Sequence, residues 1–269
     1  MESWRLIIDP ACDGAANMAI DESILEAVGR GDVPPTLRLY RWEPACLSLG
    51  YAQPAADADL DRIRARGWQM VRRLTGGRAI LHTDELTYSV ALPLSHLLVA
   101  GTIVDSYRRL STALLGALHS LGLDAHADRR LAGASAVGPV CFEVPSDYEI
   151  TANGKKLIGS AQVRRHGGAL QHGSLPLYGD GSRICDALAF ADEPARQRAR
   201  ERVLQRATTL SEALGRAVTW EQAAQAVRES FAATFSLALT LGQLTPGELH
   251  RAGVLCDERY ATDAWNLRM

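Results

Sequence analysis

The sequence has no charge excess, no long apolar run, no paired-cysteine motif and no histidine cluster, and each gap excludes something. Lys+Arg 29 against Asp+Glu 31 leave a formal net charge of -2. No global positive field therefore draws the chain to nucleic acid or to an anionic membrane. The longest apolar stretch, around Leu97 to Val104, is broken by Gly101 and Thr102 and cannot span a bilayer. The N-terminus reaches acidic and polar residues at once, with no basic-then-apolar signal segment. A soluble cytoplasmic protein is the expectation. The five cysteines (Cys12, Cys46, Cys141, Cys185, Cys256) form no Cys-x-x-Cys pair, which argues against zinc ribbons and thioredoxin-like chemistry. A disulfide framework is out of place in a reducing compartment, so most of them read as small buried hydrophobes. Seven histidines without ligand spacing give no metal site.

What is present is 269 residues, 47% of them hydrophobic, enough for a sizeable core. There is no internal repeat. Trp4 to Ile8 is a short strand candidate, and Asp13 caps a helix whose Ala16, Ala19, Ile20, Ile24, Ala27 and Val28 recur at helical spacing until Gly29 and Gly31. Leu37 to Trp42 and Ala45 to Tyr51 alternate as strands around a Glu43-Pro44 turn, and a charged helix is expected from Ala55 to Arg66. Trp68 to Arg73 reads as a strand, and Glu85 to Leu92 as a half-buried one. Ile103 to Leu121 is the clearest helix, with Gly122 as its left-handed cap. Ala132 to Pro139 reads as a loop that delivers the chain to Cys141. Asp147 to Ala152 and Lys155 to Arg164 flank Asn153-Gly154, a strong hairpin signal, and Ala169 to Leu177 follows as another strand. From Glu193 the chain turns helical, with capping-box spacing at Thr219 and Gln222 and at Thr245 and Glu248. Hairpins outnumber strand-helix-strand units, which predicts an α+β fold with a mixed, largely antiparallel sheet flanked by helices. We expect one domain over 1–269, with a sheet-rich core to about residue 190 and a helical extension over about 191–269.

Two segments could carry chemistry. Arg72 to His82 reads RRLTGGRAILH. Gly76-Gly77 permits close backbone approach to a ligand, and Arg72, Arg73 and Arg78 would surround it with guanidinium groups, an anion site. A glycine hairpin turn with solvated arginines accounts for the same pattern and is favoured by composition alone. The segment matches neither a Walker loop nor a dinucleotide fingerprint. The second segment, PVCFEVPSDYEI, places Cys141 at a loop-to-strand junction, where nucleophiles are often displayed. The tight turn would fold Lys156 back towards Cys141, and an ammonium beside a thiol stabilises thiolate. An ordinary free cysteine and an edge-strand lysine fit the spacing too. His82 and His172 lie in strand-rich parts of the chain, and each reads more simply as a hydrogen-bonded structural histidine than as a base.

RRLTGGRAILHTDELTYS (Arg72 to Ser89), VCFEVPSDYEI (Val140 to Ile150), GKKLIGSAQ (Gly154 to Gln162) and LQHGSLPL (Leu170 to Leu177) resemble the biotin/lipoate protein ligase superfamily. The likeness is greatest to its cysteine-containing octanoyltransferase branch. NMAIDES (Asn17 to Ser23), YRWEPACLSLGYAQ (Tyr40 to Gln53) and DERYATDAWN (Asp257 to Asn266) fit as well, so the resemblance covers nearly the whole chain. It implies a mixed sheet flanked by helices and transfer of octanoyl from octanoyl-acyl carrier protein through a cysteine thioester. The acceptor would be a lysine of a lipoyl domain such as the glycine cleavage H protein. By motif match the cysteine is Cys141 and the catalytic lysine Lys156. Arg72, Arg73, Thr75, Gly76, Gly77, Arg78, His82, Gly159, Ser160 and His172 would line the substrate site. A thioester-to-amide exchange runs downhill, so no cofactor and no metal are expected. The basic residues around Arg72 to Arg78 and Lys155 to Arg165 could attract acidic carrier and lipoyl domains.

The resemblance leaves competitors. An ATP-dependent lipoate-protein ligase shares the fold, but Arg78 stands where those enzymes carry a third glycine, and Cys141 has no task in an adenylating mechanism. Thr83-Asp84 departs from the His-Asp pair usual in either branch, and the chain has little room for the extra C-terminal domain of larger ligases. An amidotransferase between lipoyl domains could use the same Cys-Lys pair. A non-catalytic subunit that only holds a lipoyl or carrier domain would need neither residue, and acyl retained on the purified protein would argue against it.

Overall fold

The computed structural model describes residues 1–128 and 149–268. Cys141, the expected loop over 132–139 and the start of the Asp147–Ala152 strand lie outside the described residues. The elements in chain order are β1 (Glu2–Cys12), α1 (Gly14–Arg30), β2 (Thr36–Trp42), β3 (Cys46–Leu49), α2 (Leu60–Ala65), β4 (Gln69–Arg72), β5 (Ile80–His82), β6 (Glu85–Pro93), α3 (Ile103–Ser120) and β7 (Ala125–Asp128). There follow β8 (Glu149–Ala152), β9 (Lys155–Arg165), β10 (Gly168–Pro176), α4 (Glu193–Arg206), α5 (Leu210–Leu214), α6 (Trp220–Phe235), β11 (Leu237–Leu241), α7 (Pro246–Leu255) and α8 (Asp263–Asn266). No helix among the described residues is long and apolar enough to cross a membrane.

Eight strands form one sheet in the order β11-β1-β2-β6-β10-β9-β8-β7, and β4-β3-β5 form a smaller one. In the large sheet only β1 pairs in parallel, with β11 and β2; the other neighbours are antiparallel. The expected mixed, largely antiparallel α+β architecture is what the chain adopts. Helices α3 and α6 cover one face, where Leu110, Leu114 and Phe231 pack on Leu86, Tyr88 and Val90. Helix α1 crosses the other face over β6 and β10.

Local signals account for most elements. Asp13 caps α1 by accepting from the Ala16 amide, and Gly31 ends it in the left-handed region. Thr102, Thr219 and Thr245 each close a capping box. Asn153 and Gly154 both take positive φ, the geometry that joins β8 and β9 by a tight turn. Three expectations change. The charged helix from Ala55 shortens to one 3-10 turn over Ala55–Asp57 and then α2. Strand β6 is buried on both faces rather than one, because it is central and α1 covers the side that the alternation assigns to solvent. The helical C-terminal segment also contains strand β11, which adds in parallel to β1; five residues without polar alternation gave no signal for it.

Candidate active site

Burial of the second face of β6 makes the site. On that side β2, β6 and β10 present Tyr40, Thr87, Ser89, His172 and Ser174, polar groups that are all buried. Next to them lies a cavity whose apolar wall comes from Met18, Trp42 and Ile80. Of the residues expected at the substrate site, Arg73, Gly77, His82, Gly159, Ser160 and His172 line it.

Two carboxylate–imidazole–hydroxyl chains border the cavity. In the first, His82 Nδ1 lies 2.6 Å from Glu85 Oε1 and its Nε2 lies 2.7 Å from Ser48 Oγ. Its ring stacks on Trp42 at 3.9 Å. Burial alone would push Glu85 up, but His82 and the hydroxyls of Ser174 and Thr87 hold its carboxyl below the ordinary value. An ionised carboxylate can only accept, so His82 donates from Nδ1. In the second chain His172 Nδ1 lies 3.1 Å from Asp21 Oδ2 and Nε2 lies 2.7 Å from Thr75 Oγ1. Burial pushes the His172 imidazole down, against the pull of Asp21. Asp21 itself is held low against its own burial by His172 and Arg38. A neutral His172 donating to Asp21 has Nε2 free to accept, so the Thr75 hydroxyl donates to it.

The glycine turn departs from the anion-site expectation. Arg72 is fully buried, and its guanidinium donates to the carbonyls of Gly50, Gln53, Trp265, Asn266 and Arg268. Arg73 donates to Ser48 and to the carbonyls of Gly76 and Arg78. These two arginines hold backbone rather than present charge, because the turn folds over the small sheet and leaves carbonyls that need donors. Arg72 does not line the cavity. Only Arg78 of the three keeps a guanidinium with no hydrogen-bond partner among the described residues. Gly76 is exposed, and Gly77 takes φ +94. The turn also needs Gly50, where a Cβ would stand 2.0 Å from the Gly77 carbonyl oxygen.

Lys156 reaches the cavity face through a bulge. Ile150 pairs with Ile158 and Thr151 with Lys156, so Leu157 is an extra residue that reverses the alternation. Lys156 then shares its face with Gly159 and Ala161, which pair with Ser174 and His172. Simple alternation from Ile158 would turn it the other way. Its ammonium is buried and donates to Glu149 Oε1 at 2.6 Å.

Sequence reasoning missed Asp21, Ser48, Glu85 and Glu149. The available signal was an acidic residue inside an apolar helix stripe, for Asp21, and one opening a central strand, for Glu85. Of the four described cysteines, none lines the cavity. Burial pushes the thiols of Cys12, Cys46 and Cys256 up, away from thiolate.

This architecture recurs over nearly the whole chain in solved structures. A bi-partite lipoate protein ligase from Thermoplasma acidophilum superposes with a TM-score of 0.84 at 25% identity, covering 99% of this chain and 97% of that one. Lipoate-protein ligase A bound with ATP gives 0.80 at 27%, with 99% of each covered. The fold is that of a lipoate protein ligase catalytic domain. The profile of the lipoyl protein ligase A/B catalytic domain matches residues 13–232, and the chain belongs to that family. Octanoyltransferase LipM from Kyrpidia tusciae is 42% identical over 276 residues, with all of both chains covered. That from Brevibacillus brevis is 40% identical over 275 residues, again at full coverage. With full-length relatives of this kind, the chain is an enzyme of the acyltransferase class.

Proposed function

We propose that the chain takes octanoyl from octanoyl-acyl carrier protein onto Cys141 and passes it to a lysine of a lipoyl domain, such as the glycine cleavage H protein, in lipoate biosynthesis. The observation that supports this most is identity of 42% to an octanoyltransferase across all of both chains. Cys141 gives up its proton and attacks the donor thioester carbonyl as thiolate; the carrier C–S bond breaks and the leaving carrier sulfur takes up that proton. The acceptor amine then attacks the Cys141 thioester, an amide bond forms as the Cys141 C–S bond breaks, and the proton lost by the amine passes to the leaving Cys141 sulfur. Both halves exchange one activated acyl bond for an equal or more stable one, so no ATP enters.

In this reading the cavity beside Met18, Trp42 and Ile80 takes the apolar chain, and the two histidine chains keep its polar rim fixed. Lys156 orients the thioester carbonyl and stabilises the charge that develops on its oxygen. Glu149 holds that ammonium in place. The single-domain organisation over 1–269 belongs to the same proposal. The test is incubation with octanoyl-carrier protein and apo lipoyl domain, with and without ATP, followed by intact mass of both proteins. Octanoyl mass on the lipoyl domain without ATP is the expected result. Strict dependence on ATP and free octanoate would assign the chain to the ligases, as the ATP-bound structural neighbour suggests.

A further inference from the structure

A second hollow lies on the same face of the large sheet. Its walls come from the Thr83–Glu85 corner, the stretch after β10, the end of α4 and the link from Ala207 to Thr209. Ile80 and Ser174 line both hollows, so the two share a wall. Tyr178 and Leu204, 55% and 52% exposed, mark its opening to solvent. The link is bonded to the strand position of Lys156, whose carbonyl accepts from the Thr208 amide at 3.0 Å.

The chemistry of the two hollows differs. The first has a largely apolar wall, whereas the second carries hydroxyls and charges that are already paired. Asp84 binds Arg183, Glu85 binds His82, and Glu212 binds Lys155. A charged ligand would have to break one of these pairs, which favours a neutral polar one. Ser174 and Thr208 donate their hydroxyl hydrogens to Glu85 and Glu212. Their oxygens keep lone pairs that can accept an amide N–H.

We propose that the second hollow receives the pantetheine arm of the acyl donor. The acyl chain then lies in the first cavity and the thioester at the shared wall. This rests on the octanoyl-transfer reading and deepens it. A carrier thioester has an apolar chain on one side of its sulfur and a neutral arm with two amides on the other. Two hollows that meet at one wall, one apolar and one in which hydroxyls and paired charges sit among apolar residues, match those halves. A nucleotide triphosphate fits the second hollow less well, since its described cations, Arg183 and the neighbouring Lys155, are already bound to carboxylates.

The test narrows the second hollow and compares two donors on the full chain. Gly181 lines it, has no positive φ, and a Cβ there meets nothing within 4 Å, so Gly181→Trp adds bulk at its wall without backbone strain. Its KM for octanoyl-carrier protein should rise about tenfold or more. Its KM for S-octanoyl-N-acetylcysteamine, which lacks most of the arm, should stay within about twofold. Leu204→Trp, from the opposite wall, should behave in the same way, and circular dichroism checks that both variants fold. Equal shifts for the two donors, or no shift for either in both variants, overturn the proposal. Competitive inhibition by ATP against octanoyl-carrier protein, relieved by Gly181→Trp, overturns it in favour of a nucleotide site. A wild-type chain that transfers from neither donor removes the octanoyl-transfer reading itself, and the arm site with it.

Discussion

The hydroxyl of Thr75 donates to Nε2 of His172 across 2.7 Å, and this bond joins the glycine turn to the centre of the large sheet. Behind His172 stands Asp21, which also accepts from Arg38, Tyr40 and Ser89. The turn is thus fixed through one imidazole to a buried carboxylate on α1. Removing the hydroxyl leaves a buried ring nitrogen without its donor, an expected cost of about 1–3 kcal/mol. Thr75→Val should lower thermal stability accordingly, whereas Thr75→Ser should restore it. Calorimetry on the three proteins checks this.

The same network sets the acid response. The His172 imidazole titrates below its ordinary value of 6.5 in the folded chain, so just below pH 6.5 the unfolded state binds the proton and the folded state does not. Stability then falls as pH drops from 6.5 towards the folded value. Asp21 and Glu85, both depressed, keep their contribution above their ordinary carboxylate values and lose it as pH falls through the folded ones. The loss should come in two stages. His172→Asn should flatten the upper stage and weaken the Asp21 part of the lower one while leaving the Glu85 part, as read by denaturant midpoints from pH 7 down to about pH 2.

Arg72 and Arg165 are expected to behave differently, although both were read as members of one basic face. Arg72 is buried under backbone carbonyls, and Arg72→Ala should destabilise the fold without a salt-dependent change in KM. Arg165 is exposed and stacks 5.1 Å from the Tyr51 ring centroid. Arg165→Glu should raise KM for an acidic protein partner, more at low ionic strength than at high. Equal KM at both ionic strengths would remove the docking role.

The architecture was legible because its signals are local. The Asn153-Gly154 turn, the threonine caps and the stripe of α3 each involve residues a few positions apart. Gly77, His82 and His172 were legible through motif resemblance, but their partners were not. Asp21 meets His172, and Glu85 meets Ser174, only once segments more than sixty residues apart come together. The facing of Lys156 was hidden for a different reason. One extra residue at Leu157 reverses the pleat, and alternation carries no mark of a bulge before pairing partners are known. The arginines misled because a run of exposed cations and a run of carbonyl-binding ones look alike in sequence.

The buried ion pair of Lys156 and Glu149 changes how the proposed Cys141 chemistry is tested. Cys141→Ser should abolish a hydroxylamine-sensitive octanoyl adduct, while alanine at Cys12, Cys46, Cys185 or Cys256 should leave it. Lys156→Ala alone would break this buried pair from one side, at a cost of about 3–5 kcal/mol. A loss of activity there would mix misfolding with chemistry. The double variant Lys156→Ala with Glu149→Gln removes both charges and should recover most of that stability. It should still form acyl-enzyme about 10²-fold more slowly than wild type, the range for a positioned proton-transfer group. Glu149→Gln by itself keeps the ammonium and should lose much less. Iodoacetamide labelling of Cys141 in the double variant should shift to higher pH, because the thiolate has lost a cationic neighbour. If the double variant acylates at the wild-type rate with an unchanged labelling profile, Lys156 only holds the hairpin to Glu149.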